Sequence, residues 1–137
     1  MRPLGWEDRL HEFIEQRRYT PFAWGPNDCV TFSLGALDYV LNLKLLDQLP
    51  KWTNEEEAKY CIKIMGDDLE EAAETALPHL GFIKKSIAFA RRGDVVVTDS
   101  PHGPMFSLCI GSKLVTPGKL GLEFLPVKGV CWEFKGI

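Results

Sequence analysis

A cysteine at the predicted start of a helix is the residue of this sequence best suited to covalent chemistry. Cys29 follows the turn 21–28, which is rich in aromatic residues, glycine and proline, and Asn27 and Asp28 immediately precede it. Asn and Asp are favoured N-cap residues, so Cys29 is predicted in the first helical turn. The helix dipole and free N–H groups there lower a thiol's pKa and can bind an oxyanion. We therefore expect a nucleophilic cysteine.

A nucleophilic cysteine also needs a base, and the sequence offers three histidines. His11 lies on the first predicted helix, and His79 follows Pro78 at a helix end. His102 lies in a loop between two predicted strands, flanked by proline and glycine. Loops on a rigid sheet are common places for catalytic residues, so His102 is the candidate base for Cys29. An exposed turn residue is the alternative interpretation of His102.

The remaining cysteines are predicted to be small buried side chains. Cys61, Cys109 and Cys131 lie among apolar residues, and no two of the four cysteines have C-x-x-C spacing. The histidines show no metal-ligand spacing either. The sequence therefore predicts no metal site, no cofactor and no disulfide framework.

Length and composition predict a single domain over residues 1–137. Apolar residues make up 45% and charged residues 26%, which is ordinary for a globular domain. The net charge of −3, without a long Lys/Arg run, gives no reason to expect nucleic acid as a partner. The N-terminus lacks the apolar run of a signal peptide, and no stretch approaches the roughly 18 apolar residues of a membrane span. We expect synthesis in the cytoplasm.

The hydrophobic pattern predicts helices first and strands second. Helices are predicted over residues 6–18 and about 28–42, and acidic capping sequences begin two more at about 54 and 67. We expect an α+β fold, with the cysteine at a helix start and a small curled antiparallel sheet of four or five strands after the helices. Short apolar runs between glycines predict the strands at 95–97, 105–110, 113–116, 122–125 and 130–134.

The turn and the cysteine helix resemble the nucleophile motif of the NlpC-type cysteine peptidases, which are papain-like hydrolases of bacterial cell-wall peptides. The resemblance rests on the run Phe22-Ala23-Trp24-Gly25, the pair Asp28-Cys29, and Phe32. The segment Arg92-Gly93-Asp94-Val95-Val96 is similar to the Gly-Asp strand start of that family. The resemblance implies a papain-like fold with Cys29 as nucleophile.

Nearly the whole chain also resembles an uncharacterised branch of phage proteins. Three features carry this likeness, namely the Trp6-Glu7 start, the Trp-Gly-x-x-Asp-Cys motif, and the segment 121–126 followed by Trp132. Genes of this branch accompany tail-tip and baseplate genes. The resemblance implies other tail-tip or baseplate proteins as partners, and a location in the virion tail after synthesis in the host cytoplasm.

One departure from the family concerns the base. In active members the catalytic histidine opens the strand after the Gly-Asp strand, and that position falls on or near Met105 in this chain. The third polar residue of the site falls near Thr116, which is not a usual orienter. His102 lies three residues from the expected histidine. The nucleophile is therefore present, and the base is either His102 or absent.

Three functions are compatible with these residues. The first is a tail-tip or baseplate component whose hydrolase site is degenerate. The second is an active amidase or endopeptidase that cuts peptidoglycan stem peptides, in which Cys29 attacks the amide and His102 shuttles the proton. The third is a module that binds a peptide without turnover. Trp24 and Asp28 are candidate binding residues, and packing by Trp24 and helix capping by Asp28 are the alternative interpretations.

Overall fold

The chain folds into four α-helices followed by a six-stranded antiparallel sheet, which is the α+β order predicted from the sequence. The computed structural model describes residues 2–136. The helices are α1 (Trp6–Arg17), α2 (Cys29–Leu41), α3 (Glu55–Met65) and α4 (Leu69–Ala76). The strands are β1 (Phe82–Lys85), β2 (Val95–Ser100), β3 (Gly103–Cys109), β4 (Leu114–Gly118), β5 (Gly121–Leu125) and β6 (Val130–Phe134).

The helices begin where side chains satisfy their first N–H groups. Asn54 accepts the Glu57 N–H at the start of α3, and Asp68 accepts the Glu71 N–H at the start of α4. Acidic residues fill the first turn of both helices, where they face the positive end of the helix dipole. The predicted capping role of these acidic segments is confirmed. Within residues 2–136, no helix combines the length and the apolar character needed to cross a membrane.

The strand order is β1-β6-β2-β3-β4-β5, so the prediction of four or five strands was wrong by the omission of β1. The sequence of this strand is Phe-Ile-Lys-Lys, and its two lysines interrupt the apolar run that would have predicted a strand. It lies at the sheet edge and pairs with β6 from Phe82↔Phe134 to Lys85↔Cys131. Lysines are tolerated at an edge because they discourage pairing with another chain.

Both faces of the sheet are buried. Towards the helices, Val95 and Val97 of β2 pack with Phe106, Trp132 and apolar residues of α2 and α4. Further along the same face, α1 and α2 cover β3 and β4. On the other face, Cys109 and Cys131 form a smaller apolar cluster. Cys61, Cys109 and Cys131 are buried, as predicted.

The Gly93-Asp94 element anchors the polar edge of that second face. The fully buried Asp94 carboxylate accepts the Arg91 N–H at 2.8 Å and pairs with the Lys85 ammonium at 2.7 Å. Gly93 has a positive φ of 94°, and a Cβ there would lie 2.3 Å from a guanidinium nitrogen of Arg2. This element therefore has a structural reason for its glycine and its aspartate.

Glu133 of β6, beside Asp94, forms ion pairs with three cations. Lys85 lies 3.0 Å, Arg91 2.8 Å and Lys135 3.2 Å from its carboxylate oxygens. Burial by itself would raise the pKa of Glu133, but hydrogen bonds from Lys85 and Lys135 outweigh burial and lower the pKa to about 2. The ionised carboxylate therefore stabilises the folded state.

We predict that this contribution is lost in acid. Because the folded-state pKa lies below the ordinary value of 4.5, the stabilisation is present above about pH 4.5 and disappears as the pH falls towards 2. The wild-type protein should lose unfolding free energy as the pH falls through this window. In Glu133→Gln we expect that loss to be smaller by on the order of 3 kcal/mol. Urea denaturation at a series of pH values measures it. Glu74→Gln, which breaks the exposed pair with Lys84, is the control and should change stability by under about 1 kcal/mol. A wild-type pH profile in Glu133→Gln would contradict the assignment.

Candidate functional site

Cys29 opens α2 and lines a groove of about 1250 Å³. The groove runs between α3 and α4 on one side and the β2–β3 and β4–β5 turns on the other. Six of the residues that the sequence singled out line it, whereas the other two candidate bases, His11 and His79, do not. The six are Trp24, Asp28, Cys29, His102, Met105 and Thr116.

Asp28 is the N-cap of α2, which confirms the capping interpretation. One carboxylate oxygen accepts the N–H groups of Val30 at 3.1 Å and Thr31 at 2.9 Å. The Asp28 N–H in turn donates to the Thr31 hydroxyl, which completes a capping box. Satisfying these free N–H groups is what lets the helix begin at Cys29.

The other carboxylate oxygen of Asp28 accepts hydrogen bonds from outside α2. It accepts the Gly25 N–H at 2.9 Å and the Trp52 indole N–H at 2.6 Å. Asp28 is only 1% exposed, so its carboxylate is buried with four donors from the chain. The side chain is committed to holding the turn 21–28 and the segment before α3 against the start of α2.

Trp52 is the site residue that sequence reasoning missed. It lies 24 residues from Asp28, in a segment without regular structure ahead of α3, and no local pattern links the two. Gly25 has a positive φ of 95°, and a Cβ there would lie 2.8 Å from the Trp52 carbonyl oxygen. The Trp-Gly-x-x-Asp-Cys motif therefore includes a glycine on which Trp52 packs. A lone tryptophan beside a helix cap was the only available signal.

Trp24 combines packing with access to the groove. Its ring meets Phe22 edge-on, with centroids 4.8 Å apart, and the residue is partly buried. Both rings line the groove beside Cys29. Aromatic side chains that stay partly exposed at a groove wall can contact an apolar ligand group. Binding by Trp24 stays a prediction.

The environment of the Cys29 thiol opposes ionisation, so the expected lowering of its pKa was wrong. Burial is the largest effect, and with the nearby charge of Asp28 it raises the pKa to about 12. Backbone groups of Phe106, Cys29 and Val30 act in the opposite direction but do not compensate. Part of the residue stays exposed, yet the thiol packs against the apolar cluster under α2. Desolvation outweighs the helix N-terminus here.

The contact with Phe106 places the thiol where β3 and β4 separate. The ladder between these strands covers only Leu108↔Val115 and Cys109↔Leu114. If the same register continued, Phe106 would pair with Pro117, which has no N–H to donate. The Phe106 backbone lies close enough to the Cys29 sulfur to favour the thiolate, which lowers the pKa of Cys29 but by less than burial raises it.

Thr116 completes this opening in the sheet. Its hydroxyl donates to the Phe106 carbonyl at 3.1 Å, and the residue is 2% exposed. Thr116 therefore lies near Cys29, as the resemblance implied, but it binds the backbone of β3. Through this bond Thr116 orients β3 beside the thiol.

His102 lies at the tip of the β2–β3 hairpin. Pro101 and His102 form its two-residue turn, between the paired Ser100 and Gly103. The His102 backbone N–H donates to the Ser100 hydroxyl at 3.2 Å, and the residue is exposed. Within residues 2–136, no hydrogen bond joins His102 to Cys29, and the bond that His102 forms goes to Ser100. The structure brings His102 to the same groove but not into the thiol's hydrogen bonds.

Neither metal ligation nor a resident cofactor is suggested by this groove. Across residues 2–136, no three His, Cys, Asp or Glu side chains come together in a way that could hold a metal ion. The arrangement offers a protonated thiol, aromatic walls and backbone N–H groups at a helix start. Those groups suit the binding of an amide or peptide, and they suit covalent chemistry only if a base reaches the thiol.

The fold and the groove thus define an α+β protein with a partly buried cysteine at the N-terminus of its central helix. A family model described as a domain of unknown function (DUF6950) matches residues 1–134. The chain therefore belongs to the DUF6950 family. A search of curated proteins finds no match.

The Asp28 contacts predict an unusually costly cap substitution. In Asp28→Asn, one oxygen can still cap α2, but the new NH₂ group faces the N–H donors of Gly25 and Trp52. We expect a loss of about 2–4 kcal/mol in unfolding free energy, measured by urea denaturation. Asp68→Asn is the matched control, because Asp68 caps α4 through one oxygen and is exposed. It should lose under about 1 kcal/mol. Equal losses would contradict the role given to Trp52 and Gly25.

Proposed function

We propose that this chain is a phage tail-tip or baseplate-associated protein with an NlpC-like fold whose hydrolase site is degenerate. One observation carries the degenerate site. The thiol at the start of α2 packs against the apolar cluster under that helix, and this burial raises its pKa to about 12. Such a thiol stays protonated at neutral pH, and a protonated thiol is a poor nucleophile.

The architecture supports the NlpC-like part of the proposal. Helices come first, the cysteine opens a helix, and an antiparallel sheet follows that packs on this helix. β3 carries Met105 where the resemblance places the histidine, and Met105 lines the groove. The tail location rests on the resemblance of the whole chain to phage tail-associated proteins.

The local contacts explain why a motif of this kind would persist without catalysis. Gly25, Asp28 and Trp52 form a packed, hydrogen-bonded unit that sets the start of α2. These residues are needed for folding whether or not Cys29 reacts. The motif therefore supports the fold more strongly than it supports activity.

A second candidate is an active cysteine amidase or endopeptidase acting on peptidoglycan stem peptides. The observation that favours it is the presence of His102 on the rim of the groove that holds Cys29. A movement of the hairpin tip that places the imidazole on the thiol would stabilise the thiolate. Cys29 would then attack the amide carbonyl, and His102 would pass the thiol proton to the leaving amine. Water would hydrolyse the thioester, while N–H groups at the start of α2 hold the oxyanion.

Alkylation of Cys29 separates the two candidates. At pH 6–8 we expect iodoacetamide to label Cys29 in the folded protein at least about 100-fold more slowly than in the urea-unfolded chain. Peptide mapping by mass spectrometry measures each cysteine separately. Cys131, which is fully buried and whose pKa is also raised to about 12 by burial, is the internal control for labelling through unfolding. Labelling of Cys29 at pH 6 that exceeds the unfolded chain would overturn the degenerate site and favour the hydrolase.

Phage particles test the tail assignment. In a phage that encodes this chain, we expect mass spectrometry to detect it in purified, DNase-treated virions, and Cys29→Ala particles to infect within a few-fold of wild type. Asp28→Asn particles, whose fold is predicted to be weakened, should lose more infectivity and serve as the comparison. Absence of the chain from virions would contradict the tail location. A loss of infectivity above about 100-fold in a folded Cys29→Ala protein would instead support chemistry at Cys29.

A further inference from the structure

A second, smaller cavity lies beside α2, against α1 and the segment 46–52. Its volume is about 300 Å³, at the lower end of small-ligand sites. Thr31 and Gly35 of α2 line it, whereas Cys29 does not. Trp52 and Leu49 line both this cavity and the groove, so these residues lie between the two.

Among residues 2–136, one cation that lines the cavity, Arg17, has no carboxylate and no hydrogen-bond partner. The Arg17 guanidinium lies 3.9 Å from the centroid of the Phe13 ring and is partly buried. Among residues 2–136, no carboxylate lies within ion-pair distance of Arg17, and it donates no hydrogen bond. Its neighbour Arg18, by contrast, forms two hydrogen bonds with Glu15 at 3.1 and 2.8 Å. A guanidinium presents five donors, and a carboxylate matches two of them at once.

The other charged groups around the cavity do not neutralise Arg17. Lys51 adds a second positive charge, with its ammonium 3.1 Å from the Leu46 carbonyl and 3.9 Å from the exposed Asp47. Glu12 accepts the hydroxyl proton of Tyr39. Burial lowers the pKa of Arg17, and only Tyr39 opposes this effect. The cavity therefore has an excess of positive charge.

Aromatic side chains form part of the walls around these cations. Phe13, Tyr39 and Trp52 line the cavity, and the Trp52 ring is fixed by its bond to Asp28. Gly35 leaves a stretch of α2 without a side chain, opposite Leu46. Aromatic walls with one convergent charge are typical of sites for small amphiphilic ligands.

We propose that this cavity binds a carboxylate carried on a small aromatic or aliphatic body. Arg17 holds the carboxylate, Lys51 adds attraction at the mouth, and the aromatic side chains contact the body of the ligand. The carboxylate belongs either to a free small acid or to the C-terminus of a peptide. This site is separate from Cys29, and it does not depend on whether Cys29 reacts.

Titration of the whole chain with phenylacetate tests the proposal. The reporter is the indole N–H signal of Trp52 in ¹H–¹⁵N correlation spectra. We expect saturable binding of phenylacetate, and binding of the neutral phenylacetamide at least about tenfold weaker. Arg17→Gln should weaken phenylacetate binding by about tenfold or more, and Arg17→Lys, which keeps the charge but loses the fork, by less. Arg18→Gln is the matched control and should bind like wild type.

A second pair of ligands separates the two sources of the carboxylate. Acetyl-Gly-Phe with a free C-terminus is compared with the same peptide as its amide. Tighter binding of the acid peptide than of phenylacetate supports a peptide C-terminus, and tighter binding of phenylacetate supports a free small acid. The proposal is overturned if neither acid shifts the Trp52 signal, or if acids and amides bind equally. It also fails if Arg18→Gln weakens binding as much as Arg17→Gln in variants with wild-type melting temperatures.

Discussion

The buried carboxylate of Asp28 bonds to three parts of the chain at once. It caps α2, fixes the turn through the Gly25 N–H, and holds Trp52 ahead of α3. A buried carboxylate is tolerated only when donors replace water, and here four N–H groups do so. The position of Cys29, the wall of the groove and the wall of the smaller cavity all follow from this arrangement. Asp28 therefore determines the geometry of both candidate sites.

Two opposing effects decide the state of Cys29. The N-terminus of α2 and the Phe106 backbone favour a thiolate, whereas burial in an apolar cluster and the negative Asp28 favour the thiol. Burial wins because partial charges at a helix end are worth less than the hydration that the sulfur gives up. The same aspartate that builds the helix start thus helps to keep its first residue protonated. A helix N-terminus alone does not activate a cysteine.

The pairing between β3 and β4 is interrupted beside Cys29. Pro117 cannot continue the ladder between β3 and β4, and the backbone of Phe106 is left for the Thr116 hydroxyl and the Cys29 thiol. On the opposite face, Asp94 and Glu133 hold β1, β2 and β6 together through Lys85. One face is therefore organised by apolar packing against the helices, and the edge of the other by buried ion pairs. The groove lies on the helix side of this sheet, beside the interruption.

The sequence by itself determined the features that depend on near neighbours. Caps before α2, α3 and α4, the buried cysteines, and the order of helices before strands were all predictable, since propensity and periodicity act within a few residues. Strand β1 was not predictable, because its pairing with β6 spans about 50 residues and its lysines suit only an edge. The contact of Trp52 with Asp28 was hidden for the same reason. Only the tertiary structure decided the pKa of Cys29, because desolvation depends on which residues from distant elements cover the sulfur.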